Sequence, residues 1–378
     1  MQTEFGLQPF QNQFLLSESG PGNDILPPKL PMEIKPLPSF NGWRAVAILL
    51  VLGQHTAFTN GFPARYYDLV YGAFDGNLGV RLFFTISGFL ITWLMLQEEG
   101  ASGSVNLKHF YLRRALRILP VYLACLLVMA GLQCLGLSAQ RGMTWLQLVT
   151  FTRNFYQTGH AEDLISGHLW SLSVEEQFYF VWPFVFLWLG RSGRRRLWFL
   201  MATIAFSMGF KTVAVLGGYN RHLYFLFQDD STFLYLDCLA YGCLGAILLQ
   251  GRREKLASFF RRYPLPIFFL SCLFLLAPAI VGLGKGMQSF GFIFLLLQSV
   301  LSPESGPFKI LNQRWMVRIG VLSYSLYIWQ ELVFLLWPIP RLWFLSLPAT
   351  FGVAWLSYHF LEKPFLAWRS KFRDPTKS

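Results

Sequence analysis

Ten apolar segments of about 16 to 20 residues follow one another along the chain, at roughly 43–60, 79–96, 118–137, 172–190, 197–216, 231–250, 264–282, 287–302, 319–338 and 342–360. Crossing the ~30 Å hydrocarbon core of a bilayer takes about 20 mainly apolar residues, and a helix does it with every backbone group paired internally. A chain cut this way is suited to lipid rather than to an aqueous core. The expectation is an all-α polytopic membrane protein with about ten transmembrane helices. With 54% of residues hydrophobic, 17% aromatic and 14% charged, the composition also lies outside the soluble range.

The formal charge of +12 could suggest a nucleic-acid partner, but the cations sit in short clusters between apolar segments, the pattern of cytoplasmic loops. Alternate gaps hold most of them: Lys108, Arg113, Arg114 and Arg117, then Arg191 and Arg194–Arg196, then Arg252, Arg253, Lys255, Arg261 and Arg262, then Lys309, Arg314 and Arg318. The other gaps hold few, among them Arg65, Arg141, Arg153 and Arg221. This bias predicts both termini in the cytoplasm, a bilayer as surroundings and no nucleic acid. The expected place is the cell (inner or plasma) membrane. Residues 1–38, polar and Pro-rich, read as a disordered cytoplasmic tail without a signal peptide; 39–366 form the membrane domain and 367–378 a basic tail. Five cysteines, all in apolar segments, offer neither a disulfide framework nor zinc spacing, and no metal site is expected. A long outer connection, about 138–171, carries His160, Glu162, Asp163 and His168.

Ionisable residues inside such segments are costly and mark functional sites by default. Arg44 and His55, eleven residues apart, share nearly one face of the first helix, with His55 about 16 Å further along. Such an imidazole can act as a general base or can simply hydrogen-bond a neighbouring helix, and both readings stand on these residues alone. In HFYLRRALRILP (109–120), helical spacing sets Arg113 and Arg117 four apart and Arg114 and Arg117 three apart, so two or three guanidiniums project together. Guanidinium forks suit phosphate oxygens, although lipid head groups use the same chemistry. In GHLWSLSVEEQFYFVWPF (167–184), Ser171, Glu175 and Tyr179 recur on one helical face and Glu176 points elsewhere. YHFLEKPF (358–365) places Tyr358 and Glu362 on one face, with Pro364 expected to end the helix. Asp237 is a further intramembrane acid.

Taken in order with GVRLFFTISGFLIT (79–92) and RIGVLSYSLYIWQ (318–330), these motifs make residues 38–366 resemble the acyltransferase family 3 integral membrane proteins, O-acetyltransferases of O-antigen, exopolysaccharide, Nod factor and macrolides. The resemblance implies His55 as catalytic residue. It implies Arg114 and Arg117 in acyl-CoA binding and matches Arg44 to the family's first-span arginine, Ser87 to the SGFL motif, Glu175 to WSLSVEE, and Tyr358, Glu362 and Pro364 to the terminal motif; Arg44 is further expected to help hold the acyl-CoA phosphates. It departs at Gln330, where the family usually has His, and many members continue into a C-terminal esterase-like domain not expected here.

The expected reaction is transfer of an acyl group, acetyl foremost, from acetyl-CoA or another acyl-CoA as co-substrate to a hydroxyl of a carbohydrate or glycosylated acceptor, with no tightly bound cofactor. His55 would deprotonate the hydroxyl, and Glu175 or Glu362 would orient its ring. The rivals are a proton-coupled transporter or flippase using the same buried acids, and a catalytically degenerate family member acting as an assembly partner.

Overall fold

The computed structural model describes residues 37–138, 140, 142–155, 165–216, 230–276 and 283–369. The 1–36 part of the expected tail, His160, Glu162 and Asp163 of the outer connection, and residues 370–378 lie outside the described residues. Among the described residues every regular element is helical: α1 (Phe40–His55), α2 (Tyr67–Ala73), α3 (Gly76–Ser102), α4 (Leu107–Cys134), α5 (Gly142–Val149), α6 (Leu169–Trp188), α7 (Gly193–Leu216), α8 (Thr232–Arg262), α9 (Pro264–Leu276), α10 (Leu283–Leu301), α11 (Phe308–Leu311), α12 (Arg314–Leu335), α13 (Ser346–Ser357) and α14 (Lys363–Arg369), with short 3₁₀ turns and a π-helical turn (Tyr358–Glu362). Each apolar segment of the sequence coincides with one of these helices. Among the described residues four stretches, Ala64–Ser102, Leu107–Cys134, Thr232–Arg262 and Pro340–Trp368, are long and apolar enough to cross a membrane.

Large apolar side chains point outward as well as inward, as on a protein solvated by lipid. Leu127 on α4, Trp188 on α6 and Leu276 on α9 are 73%, 77% and 80% exposed. The interior is packed by Phe84, Phe89, Ile48, Leu52, Phe186 and Phe334, all essentially inaccessible.

At the centre α1 lies between α3 and α12, and α3 packs along α8 in turn. Lipid tails give apolar helices no hydrophobic reason to associate, so close backbone approach must do more of the work. A side chain at Gly88 would run into the Leu239 carbonyl, and one at Gly242 into the Thr85 carbonyl, so the two glycines let α3 and α8 meet backbone to backbone.

Local chemistry sets the helix ends. Asp75 caps α3 by accepting from the Leu78 N–H (2.9 Å), and Asn106 caps α4 by accepting from the His109 N–H (3.0 Å). Gly103, at φ 86°, closes α3 in the left-handed conformation that glycine adopts without strain. Three expectations need correction. First, α1 ends at His55 rather than near residue 60, so His55 sits at the end of the helix and not deep within a longer one. Second, the arginine motif before the third apolar segment is not a loop but the opening turns of α4, because the Asn106 cap starts the helix eleven residues early. Third, Pro364 does not end the chain's last helix: the turn before it widens, the Lys363 N–H bonding back to the Tyr358 carbonyl, and the proline is taken up in the first turn of α14 where a missing N–H costs little.

Candidate functional site

Two polar clusters occupy the bundle interior, one toward each end of α1. Near the helix start, Arg44 lies within electrostatic reach of Arg117 on α4, Glu175 and Tyr179 on α6, and Glu362 of the π turn. Glu175 accepts hydrogen bonds on one oxygen from the Ser87 hydroxyl of α3 and the Tyr179 phenol (2.6 Å). The Arg114 guanidinium lies over the Tyr179 ring, 4.4 Å from its centroid. Glu362, 1% exposed, accepts from the Ser325 hydroxyl of α12 at 3.1 Å. Arg113 leaves the group by pairing with Glu98 at 2.8 Å. Among the described residues Arg44, Arg114 and Arg117 form no ion pair with a carboxylate. Three half-buried cations thus converge beside hydroxyls and carboxylates that are already engaged, an arrangement suited to an incoming polyanion.

At the other end of α1, His55 Nδ1 faces Glu331 Oε1 of α12 at 3.7 Å. The other Glu331 oxygen, Oε2, lies 2.8 Å from His168 Nδ1 and accepts the His168 backbone N–H at 3.1 Å. His168, on the turn into α6, is fully enclosed, and its Nε2 meets the Ile328 carbonyl at 3.2 Å. The His55 side chain keeps 17% exposure while its Nδ1 is buried, so the open part of the ring lies away from Glu331. The Phe58 ring packs on it with centroids 5.1 Å apart. Gln330 is fully buried, with its carboxamide against His55 and no well-formed hydrogen bond among the described residues.

Between the clusters stands Tyr327, within electrostatic reach of both Glu331 and Glu175. Its phenol donates to the His168 carbonyl at 2.8 Å and meets the Ser171 hydroxyl at 2.5 Å. The face of α6 expected to carry Ser171, Glu175 and Tyr179 therefore does line the interior, and His168 extends it to the His55 end.

The structure thus gathers Arg44, Ser87, Arg114, Arg117, Glu175, Tyr179 and Glu362 at one end and His55 and Gln330 at the other, with Ser171 between. It corrects the acid beside His55: Glu175 and Glu362 sit at the Arg44 end, and Glu331 takes the place assigned to them. Tyr358 is half-buried with its ring edge-on to His359, and Asp237 faces Lys211 at 2.6 Å, with Ser207 and Ser289 each 3.4 Å away, on the α7 and α10 side. Sequence reasoning missed Glu331, His168 as a site residue, Tyr327 and Ser325. A signal for Glu331 was present, since it is a carboxylate inside the apolar segment YIWQELVFLL. Among the described residues no group of three or more His, Cys, Asp or Glu is placed to hold a metal ion.

These features define a helical membrane protein with a cation-lined polar interior that runs toward an imidazole held on a carboxylate. The chain belongs to acyltransferase family 3: the family model, described as an acyltransferase domain, matches residues 37–369. The chain is 27% identical over 381 residues to a Staphylococcus aureus (strain MRSA252) protein provisionally named an O-acetyltransferase, covering 89% of this chain and 59% of that protein. It is 25% identical over 379 residues to the peptidoglycan O-acetyltransferase OatA of Listeria monocytogenes serovar 1/2a, covering 90% and 58%. It is 26% identical over 372 residues to YrhL of Bacillus subtilis (strain 168), provisionally named a peptidoglycan O-acetyltransferase, covering 87% and 54%. The chain thus spans under three fifths of the length of these relatives. No solved structure matches it.

Proposed function

We propose that the chain is an O-acyltransferase that moves an acyl group, acetyl foremost, from acyl-CoA to a hydroxyl of a carbohydrate acceptor. The observation that carries this reading is the convergence of Arg44, Arg114 and Arg117, which form no ion pair with a carboxylate among the described residues, about 16 Å along α1 from His55. Coenzyme A offers several phosphate charges for such a cluster and a pantetheine arm long enough for that descent. In this reading all ten apolar segments cross the membrane of the cell with both termini in the cytoplasm, so that the arginines face the pool of acyl-CoA. The peptidoglycan O-acetyltransferase names among the relatives favour a cell-wall or other surface glycan as acceptor.

His55 takes the proton of the acceptor hydroxyl through its accessible ring nitrogen. The hydroxyl oxygen attacks the thioester carbonyl, the C–S bond breaks, and the CoA thiolate leaves with the proton as the free thiol. General base catalysis of this kind is worth about 10²–10⁴-fold. Glu331 orients the imidazole and balances the positive charge that develops on it.

The test supplies radiolabelled acetyl-CoA to membranes of a host expressing the chain and follows the label into isolated glycans by mass analysis. Label in an ester-linked glycan above the level of empty-vector membranes is expected. Label that stays in CoA, or enters the host's own lipids alone, would overturn the reading.

A further inference from the structure

Among the described residues Glu331 is the one carboxylate shared by two imidazoles, and its two oxygens are divided between them. Oε2 belongs to His168, which reaches it with both ring Nδ1 (2.8 Å) and backbone N–H (3.1 Å), and Oε1 faces His55 Nδ1 at 3.7 Å. The Ile328 carbonyl opposite His168 Nε2 can only accept a hydrogen bond, so that nitrogen carries a proton. A second proton is then held along the Nδ1–Oε2 line. With that proton the His168–Glu331 pair is neutral overall, and without it the pair is a bare carboxylate next to His55. His168 is completely enclosed, so its proton is not exchanged with a passing substrate.

We propose that His168 is a positioning residue that tunes His55: by sharing a proton with Glu331 it offsets the carboxylate charge, keeping His55 neutral and ready to accept a proton from the acceptor. This rests on the reading of His55 as the base. Among the described residues the groups that face His55 are few. Glu331 and Gln330 come from α12, His168 comes from the turn before α6, and Phe58 follows in the chain. The Tyr327 hydroxyl from α12 donates to the His168 backbone carbonyl, and its ring lies edge-on to the His168 imidazole with centroids 5.4 Å apart. Along α2, α3, α10 and α11, the other helices packed on α1, no charged group of the described residues acts on His55. The pair is therefore the dominant electrostatic neighbour, and its two members push His55 in opposite directions. Glu331 alone favours the protonated ring, and a protonated His168 opposes it. Oε1 lies beyond hydrogen-bond length from His55 Nδ1, so the pair acts on the ring through its charge rather than through a hydrogen bond.

The experiment titrates His55 directly. Full-length protein in detergent or nanodiscs is treated with diethyl pyrocarbonate, which modifies neutral imidazole, across a pH series, and carbethoxylation of the His55 peptide is followed by mass spectrometry. Wild type is compared with His168→Gln, Glu331→Gln and the double variant. Removing the His168 proton partner is expected to move the His55 midpoint to higher pH by about one unit, and Glu331→Gln to move it to lower pH. The double variant, which leaves no buried charge unpaired and so survives where His168→Gln fails to fold, is expected to match Glu331→Gln. Midpoints that coincide in all forms, or that move the same way in both single variants, would overturn the proposal. Opposite shifts in a chain whose membranes transfer no acetyl label would leave the coupling standing and remove the acyltransferase reading instead.

Discussion

His55 and Glu331 come from helices 276 positions apart in sequence and meet at 3.7 Å, with the imidazole Nδ1 turned toward the carboxylate. A carboxylate facing that nitrogen steadies the cation that a base becomes. Glu331→Gln keeps the shape and removes the charge, so kcat for acetyl transfer is expected to fall by about 10²-fold or more, with little change in KM for acetyl-CoA. Steady-state kinetics on membranes normalised for protein amount checks this.

The three arginines make the opposite kinetic signature. Truncating Arg114 and Arg117 together removes charge-assisted contacts worth about 1.5–3 kcal/mol each. The affinity for acetyl-CoA is expected to drop at least tenfold while the saturated rate changes little. Equilibrium binding to the purified double variant is the measurement. Arg113→Ala is the control, since its guanidinium is engaged by Glu98 and its loss is expected to leave acetyl-CoA affinity near wild type.

Away from the site, Lys211 and Asp237 form an ion pair whose members are 4% and 0% exposed. Lys211→Met strands a buried carboxylate and is expected to cost about 3–5 kcal/mol, seen as a lower thermal unfolding temperature in detergent. Replacing Asp237 by Leu as well removes the stranded charge and is expected to restore most of that loss.

The contact between α3 and α8 gives a packing test. Gly242→Leu places a side chain against the Thr85 carbonyl and the Phe89 backbone, where there is no flexible neighbour to move. A loss of about 1–3 kcal/mol or more is expected from such overpacking, with lower folded yield by size-exclusion profile. Gly352→Ala, where an added Cβ meets nothing, is expected to be neutral.

How far the sequence could be read depended on the range of the physics involved. Helix spacing is local, so the Arg44 to His55 distance and the Ser171–Glu175–Tyr179 face followed from residue numbers and reappear in the structure. The cap at Asn106 was equally local but was masked by the arginines that follow it, which made an opening helical turn look like a cytoplasmic loop. The partner of His55 was not local at all. Glu175 and Glu362 were reasonable guesses because each sits in a motif, yet which of several intramembrane carboxylates meets a given imidazole is decided by how α1, α6 and α12 pack. Gln330 shows the same limit: in sequence it is a missing histidine, and in the structure it is a buried carboxamide against His55.

The central claim is that His55 is the base of a CoA-dependent acyl transfer. The most direct measurement is the initial rate of label transfer from acetyl-CoA to glycan by membranes carrying wild type or His55→Gln, with equal folded protein confirmed by size-exclusion profile and acetyl-CoA binding. His55→Gln is expected to bind acetyl-CoA normally and to transfer label about 10²–10⁴-fold more slowly. A His55→Gln rate within twofold of wild type would contradict it.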